Sequence, residues 1–165
     1  MIKKLLKYFT IKNIDVFIYF INKEMLSIFP YPNYVITQEE ITQNKTRYSI
    51  VEKDRIIHDS FLFNKLFILR LIKKRGPTIG DCKTIQEFRG KSIYPFVINH
   101  IAKDQILNHN KNEVFIIVNT NNHSSIKGIE KAGFKLYTKI KAKRFLIFYY
   151  DINKIDYFKN YLKYL

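Results

Sequence analysis

The chain of 165 residues has no tryptophan, one cysteine, four prolines, five glycines and four histidines. A lone thiol, Cys82, rules out an intramolecular disulfide framework, so stability has to come from apolar burial, and a cytoplasmic setting is the default expectation. The histidines are too scattered to set up a paired metal site, and no metal is expected. Acidic side chains are also scarce, 14 Asp and Glu against 29 Lys and Arg, which leaves a formal charge of +15. That balance favours an anionic partner: a cofactor, a nucleotide-linked substrate, nucleic acid or an acidic membrane surface. The abundance of Ile, Lys, Asn, Phe and Tyr, the residues of AT-rich codons, gives the basicity a compositional source as well. Long hydrophobic runs are missing too. Val16–Ile21, the longest apolar run near the start, falls far short of the roughly 20 residues that span a bilayer. Met1–Leu6 imitates the start of a secretory leader, but Lys7, Lys12 and Asp15 interrupt it. The basic, aromatic first thirty residues fit either a cover for one side of the core or contact with an anionic membrane surface.

What is present suits one compact domain, residues 1–165, with 47% hydrophobic and 16% aromatic residues. Residues 1–45 read as a helical or irregular elaboration: 1–29 as helical or mixed, ending at the extended Phe29–Pro32, with a polar connection over 37–46. Arg47–Glu52 and Arg55–Phe63 read as strands of a hairpin turning at Lys53-Asp54. After a basic turn, Lys73–Pro77, comes a strand over Thr78–Thr84. A helix follows from Ile93, with Val97, Ile98 and Ile101 on its apolar face. Glu113–Val118 reads as a buried strand, Asn122 as the N-cap of a second helix, Gly133 as its stop, and 134–140 with 144–150 as a last strand pair. The succession predicts an α/β or α+β architecture around a sheet of mixed direction. No internal repeat or low-complexity segment is visible.

Two blocks carry chemistry. In the first, Glu87-Phe88-Arg89-Gly90-Lys91-Ser92-Ile93-Tyr94-Pro95, a strand runs into a helix start, so backbone amides converge where anions bind, and Arg89 and Lys91 add fixed charge suited to a pyrophosphate. The second is Asn122-His123-Ser124-Ser125-Ile126-Lys127-Gly128-Ile129-Glu130-Lys131-Ala132-Gly133-Phe134. Together they resemble the signature segments of the GNAT family of N-acetyltransferases, a resemblance covering roughly residues 46–150. It implies the GNAT fold, a central mixed, mostly antiparallel sheet flanked by helices, and acetyl-coenzyme A as acyl donor. It further implies that the backbone of Arg89, Gly90, Lys91, Ser92, Ile93 and Tyr94 holds the pyrophosphate. The strand residues Cys82, Lys83 and Thr84 would pair with the pantetheine arm, and Asn122 and Ser125 would position the thioester.

The sequence departs from the family at four places. Ser92 and Tyr94 replace the glycines of the first segment, Ile129 stands where many relatives carry a proton-returning tyrosine, and Thr78 occupies a strand position where some hold a catalytic carboxylate or histidine. The catalytic candidates are therefore Asp81, placed suitably only if a bulge near Gly80 shifts the strand register, and His58 on the hairpin; Asp59 and Glu52 lie near it. Within the family the resemblance is to acetyltransferases of bacterial surface-polysaccharide biosynthesis. That implies a small-molecule acceptor, an amino sugar, nucleotide-linked or lipid-linked; homo-oligomerisation is left open. Two further readings stand beside it. One is a noncatalytic module that kept the coenzyme A fold and uses its basic surface for nucleic acid or membrane; the other is transfer to a protein or peptide amine.

Overall fold

The computed structural model describes residues 10–27, 29–30 and 34–157. The leader-like Met1–Leu6 and the second proline of the Phe29–Pro32 segment lie outside them. Eight strands form one sheet: β1 (Lys12–Asn22), β2 (Ile36–Thr42), β3 (Lys45–Glu52), β4 (Arg55–Phe63), β5 (Thr78–Thr84), β6 (Glu113–Asn119), β7 (Lys135–Phe145) and β8 (Phe148–Asp156). Among the described residues two α-helices, α1 (Ile93–Leu107) and α2 (His123–Lys131), pack with the sheet in an α+β architecture. The order across the sheet is β2-β3-β4-β5-β6-β1-β7-β8. Neighbours are antiparallel throughout except β5 and β6, which run parallel.

Lys12–Asn22 corrects the helical or mixed expectation for 1–29 within the described residues, because it is a central strand between β6 and β7. Its Val16–Ile21 run is β-branched and aromatic, and it is apolar at every position because both of its faces are covered. Tyr19 and Ile21 join Ile79, Val114, Ile116 and the α1 residues Val97 and Ile101 in one core cluster. Ile18 and Phe20, pointing the other way, meet Phe115, Ile140 and Ala142 under a short 3-10 turn that contributes Ile68 and Leu69. A continuous apolar run cannot be told from a buried helical segment by periodicity, which is why this strand was hidden.

Two smaller differences have the same origin in local patterning. The polar connection at 37–46 contains an edge strand, Ile36–Thr42, whose Thr, Gln and Glu side chains face solvent. The last pair of strands is longer than expected, since Lys139-Ile140-Lys141-Ala142-Lys143 alternates without a break, placing Ile140 and Ala142 in the core and the lysines outside. The hairpin turn falls at Lys53-Asp54, both with positive φ (49° and 59°), the twist that two-residue hairpin loops require.

Phe20 is 1% exposed, so Phe20→Ala should cost about 3–5 kcal/mol in chemical denaturation. A loss below about 1 kcal/mol would remove β1 from the core.

Candidate functional site

Parallel β5 and β6 are in register at two pairs only, Thr78↔Phe115 and Ile79↔Ile116. Beyond Ile79 the strands part, so the edge of β5 over residues 80–84 that faces β6 has no strand partner among the described residues. A bulge accompanies the parting: Asp59 pairs with Lys83 and Phe61 with Gly80, which leaves Asp81 and Cys82 opposite Ser60 alone, with Asp81 at φ 50°. A cavity of about 550 Å³ opens between the end of β5, the start of α1 and the start of α2.

The cavity's electrostatics are one-sided. Lys83, Arg89, Lys127 and Lys131 line it, and no carboxylate does so among the described residues. Its rim is the loop into α1, where Gly90 and Ser92 both take the left-handed conformation, at φ 78° and 60°. Ser92 therefore adopts the backbone that a glycine would adopt freely. Its side chain makes no capping hydrogen bond; its hydroxyl accepts one from Lys131 Nζ at 2.7 Å. The first helical bond of α1 runs from Phe96 N–H to Ser92 O, at 3.2 Å. The amides of Ile93 and Tyr94 are left as orphan donors at the positive end of the helix dipole, and Pro95 has no N–H to offer. Arg89 is anchored by its Nε–H, which donates to Thr84 O at 3.1 Å.

Tyr94 is helical, so at this position glycine is a matter of space and not of conformation. A Cβ on Gly128 of α2 would lie 2.6 Å from Tyr94 Cδ1. The bare backbone of α2 thus accommodates the ring that α1 projects. Desolvation raises the pKa of the Tyr94 phenol strongly, keeping it a neutral donor at the cavity wall. On the opposite side, Asn122 caps α2 by accepting from Ser125 N–H at 3.2 Å and from the Ser124 hydroxyl at 3.1 Å.

The expected cofactor residues Cys82, Lys83, Thr84, Arg89, Gly90, Ser92, Ile93, Tyr94, Asn122 and Ser125 all line the cavity. Lys91 stands outside it, its ammonium 4.5 Å from the centre of the Phe88 ring. The sequence reading missed Lys127 and Lys131. Their i, i+4 spacing on the helix that Asn122 starts is the signal that points both at the rim. Desolvation pushes the Cys82 thiol up to about 12, so it is no thiolate nucleophile at neutral pH.

The catalytic candidates lie elsewhere. His58 is 1% exposed, with Nδ1 2.7 Å from Thr84 Oγ1 and Nε2 2.7 Å from Ser60 Oγ, and desolvation lowers its pKa to about 4. It is a neutral, doubly hydrogen-bonded core residue behind the cavity wall. Asp81 does not line the cavity; its carboxylate lies 3.6 Å from Lys45 Nζ. For Asp59, desolvation opposes ionisation, but hydrogen bonds from Arg47 and Ser49 outweigh it and hold the carboxyl below its usual range. Glu52 is exposed at the end of the hairpin. Thr78 and Ile129 are fully buried.

No family profile and no curated protein matches this sequence. Among solved structures, the chain is similar to an acetyltransferase of the GNAT family from Colwellia psychrerythraea. The TM-score is 0.52 and the identity 15%, over 89% of this chain. The chain spans 57% of the length of that protein. The likeness is one of fold: this chain has the GNAT acetyltransferase fold.

Two measurements test the packing around the cavity. Gly128→Ala should destabilise by about 1–3 kcal/mol through overpacking. In a Tyr94→Ala background the same change should instead stabilise, by up to about 1 kcal/mol, because helix propensity then acts alone. For His58, the unfolded chain binds a proton near pH 6.5 and the folded chain only near pH 4. Stability is therefore full above pH 6.5 and falls by about 3 kcal/mol as the pH drops towards 4. His58→Gln should flatten that part of the pH–stability curve.

Proposed function

We propose that this chain is an acetyl-coenzyme A dependent N-acyltransferase. The observation that carries the reading is the cavity at the parting of β5 and β6, which joins an unpaired strand edge to a cationic helix start, with no competing carboxylate among the described residues. A cofactor with a pyrophosphate at one end and an amide-bearing arm at the other needs both. The orphan amides of Ile93 and Tyr94, with Arg89, Lys127 and Lys131, would hold the phosphates. The free edge of Cys82–Thr84 would take the arm as an added strand, and Asn122 and Ser125 would bound its far side. When bound, the cofactor supplies an acyl thioester.

The chain's own contribution is chiefly positioning, which is worth up to about 7–11 kcal/mol in favourable cases. The buried, neutral His58 argues against a role for it as general base. Asp81 remains the candidate base, on the far side of the bulge from the cavity. An amino sugar joined to a nucleotide or lipid phosphate is the acceptor class we favour. Its anionic portion would suit a second cavity of about 290 Å³, where Lys65, Arg70 and Arg75 gather beside Phe67.

Melting temperature measured against acetyl-coenzyme A tests the reading. A saturable, selective rise is expected, equivalent to about 2.7 kcal/mol at a hundredfold excess over Kd, with ADP and matched salt much weaker. Arg89→Ala with Lys131→Ala should abolish most of it. No rise at millimolar cofactor would overturn the reading in favour of a noncatalytic basic module, tested by salt-dependent binding to nucleic acid.

A further inference from the structure

Lys45 opens β3 directly across from Phe63 of β4. Its ammonium lies 4.0 Å from the centre of the Phe61 ring, 5.0 Å from that of Phe63, and 3.6 Å from Asp81 Oδ2. Two aromatic faces and a carboxylate around one nitrogen are the chemistry that recognises a primary ammonium. Phe61 and Phe63 are alternate residues of one strand and so share a face of the sheet. Asp81 completes the cage from β5.

The Lys45–Asp81 ion pair alone does not account for the backbone held at Asp81. An exposed ion pair contributes about 0–1 kcal/mol, whereas a non-glycine residue held at positive φ costs of order 1–3 kcal/mol. Asp81 is such a residue, at φ 50°, and its side chain is 66% exposed. The bulge thus spends backbone strain to present a carboxylate to solvent beside two rings. That same bulge carries Cys82, the next residue, into the wall of the cofactor cavity, with consecutive Cα atoms about 3.8 Å apart. The cage and the cavity are two sides of one distortion. Lys45 reaches the cage on a flexible four-carbon stem from the neighbouring strand, so it can withdraw without disturbing the sheet.

We infer that Phe61, Phe63 and Asp81 form the receiving site for the acceptor's primary ammonium, and that Lys45 fills this site as an internal surrogate in the free protein. The inference rests on the acyltransferase reading above and places its acceptor nitrogen. An acceptor must displace Lys45, which makes acceptor binding a competition and disfavours amines too weak to win it. Neutral alcohols fit the cage less well for lack of charge.

The test uses the full chain, with butylammonium chloride as probe and sodium chloride at matched ionic strength as control, followed by the ring resonances of Phe61 and Phe63. Lys45→Met should bind the probe at least tenfold more tightly than the unmodified chain. Adding Asp81→Asn or Phe61→Leu should remove that gain. Lys45→Ser, whose side chain is too short to reach the rings, leaves the cage vacant and must show the same gain even where the longer methionine packs on them. Equal affinity with and without the Lys45 side chain, or a gain that survives Asp81→Asn, would overturn the cage. Thermal stabilisation by acetyl-coenzyme A is measured on the same variants and separates the two failures. Stabilisation without the ammonium gain rejects the cage alone. The ammonium gain without stabilisation rejects the acceptor role together with the cofactor reading.

Discussion

Two registered pairs, Thr78↔Phe115 and Ile79↔Ile116, hold together β5 and β6, the one parallel pair among the described strands. Everything in the candidate site depends on that junction being so short. With a full ladder, the edge of β5 beyond Ile79 would be consumed by β6. With none, the two halves of the sheet would share no frame across β5. The junction fixes where the strands separate, and the bulge at Asp81 then sets which side chains turn towards the gap. The loop into α1 lines the cavity that opens there, so its left-handed residues and the orphan amides that follow them border it.

Much of this architecture was legible in the residues because it rests on local chemistry. Lys53-Asp54 between two alternating runs specifies a hairpin turn, and Asn122 followed by Ser125 specifies a helix start whose capping bond is present at 3.2 Å. Ser92 takes the left-handed backbone that a glycine adopts freely. Tertiary burial hid the rest. Val16–Ile21 is apolar on every residue because two layers cover it, and a pattern with no alternation carries no period to read. Ile36–Thr42 was hidden for the opposite reason, since an edge strand washed by solvent on its outer side reads as a polar connection.

The site was legible as a set of backbone positions and less so as a set of side-chain roles. Helix starts and strand ends follow from sequence order, whereas the use made of a titratable group depends on what the fold stacks around it. His58 looks like a half-exposed strand residue, yet α1 and its Tyr94 ring close over it. The pairing of Tyr94 with Gly128 is a compensation across 34 positions of sequence, visible only once the two helices meet. Asp81 shows the same limit, because its direction was conditional on a bulge that pairing with β4 decides.

The place of β1 has a consequence in time. It precedes its partners β6 and β7 in the chain, with Phe17 pairing Val118 and Lys139, roughly a hundred residues further on. Loop closure over such a span is slow relative to hairpin formation, and contacts of this separation dominate the folding barrier. The β3–β4 hairpin can assemble as soon as its residues are made, while the unbroken apolar run of β1 waits with both edges unpaired. During that interval Val16–Ile21 is exposed to pairing with another nascent chain, so the yield of folded protein depends on how quickly β6 and β7 arrive to cover it.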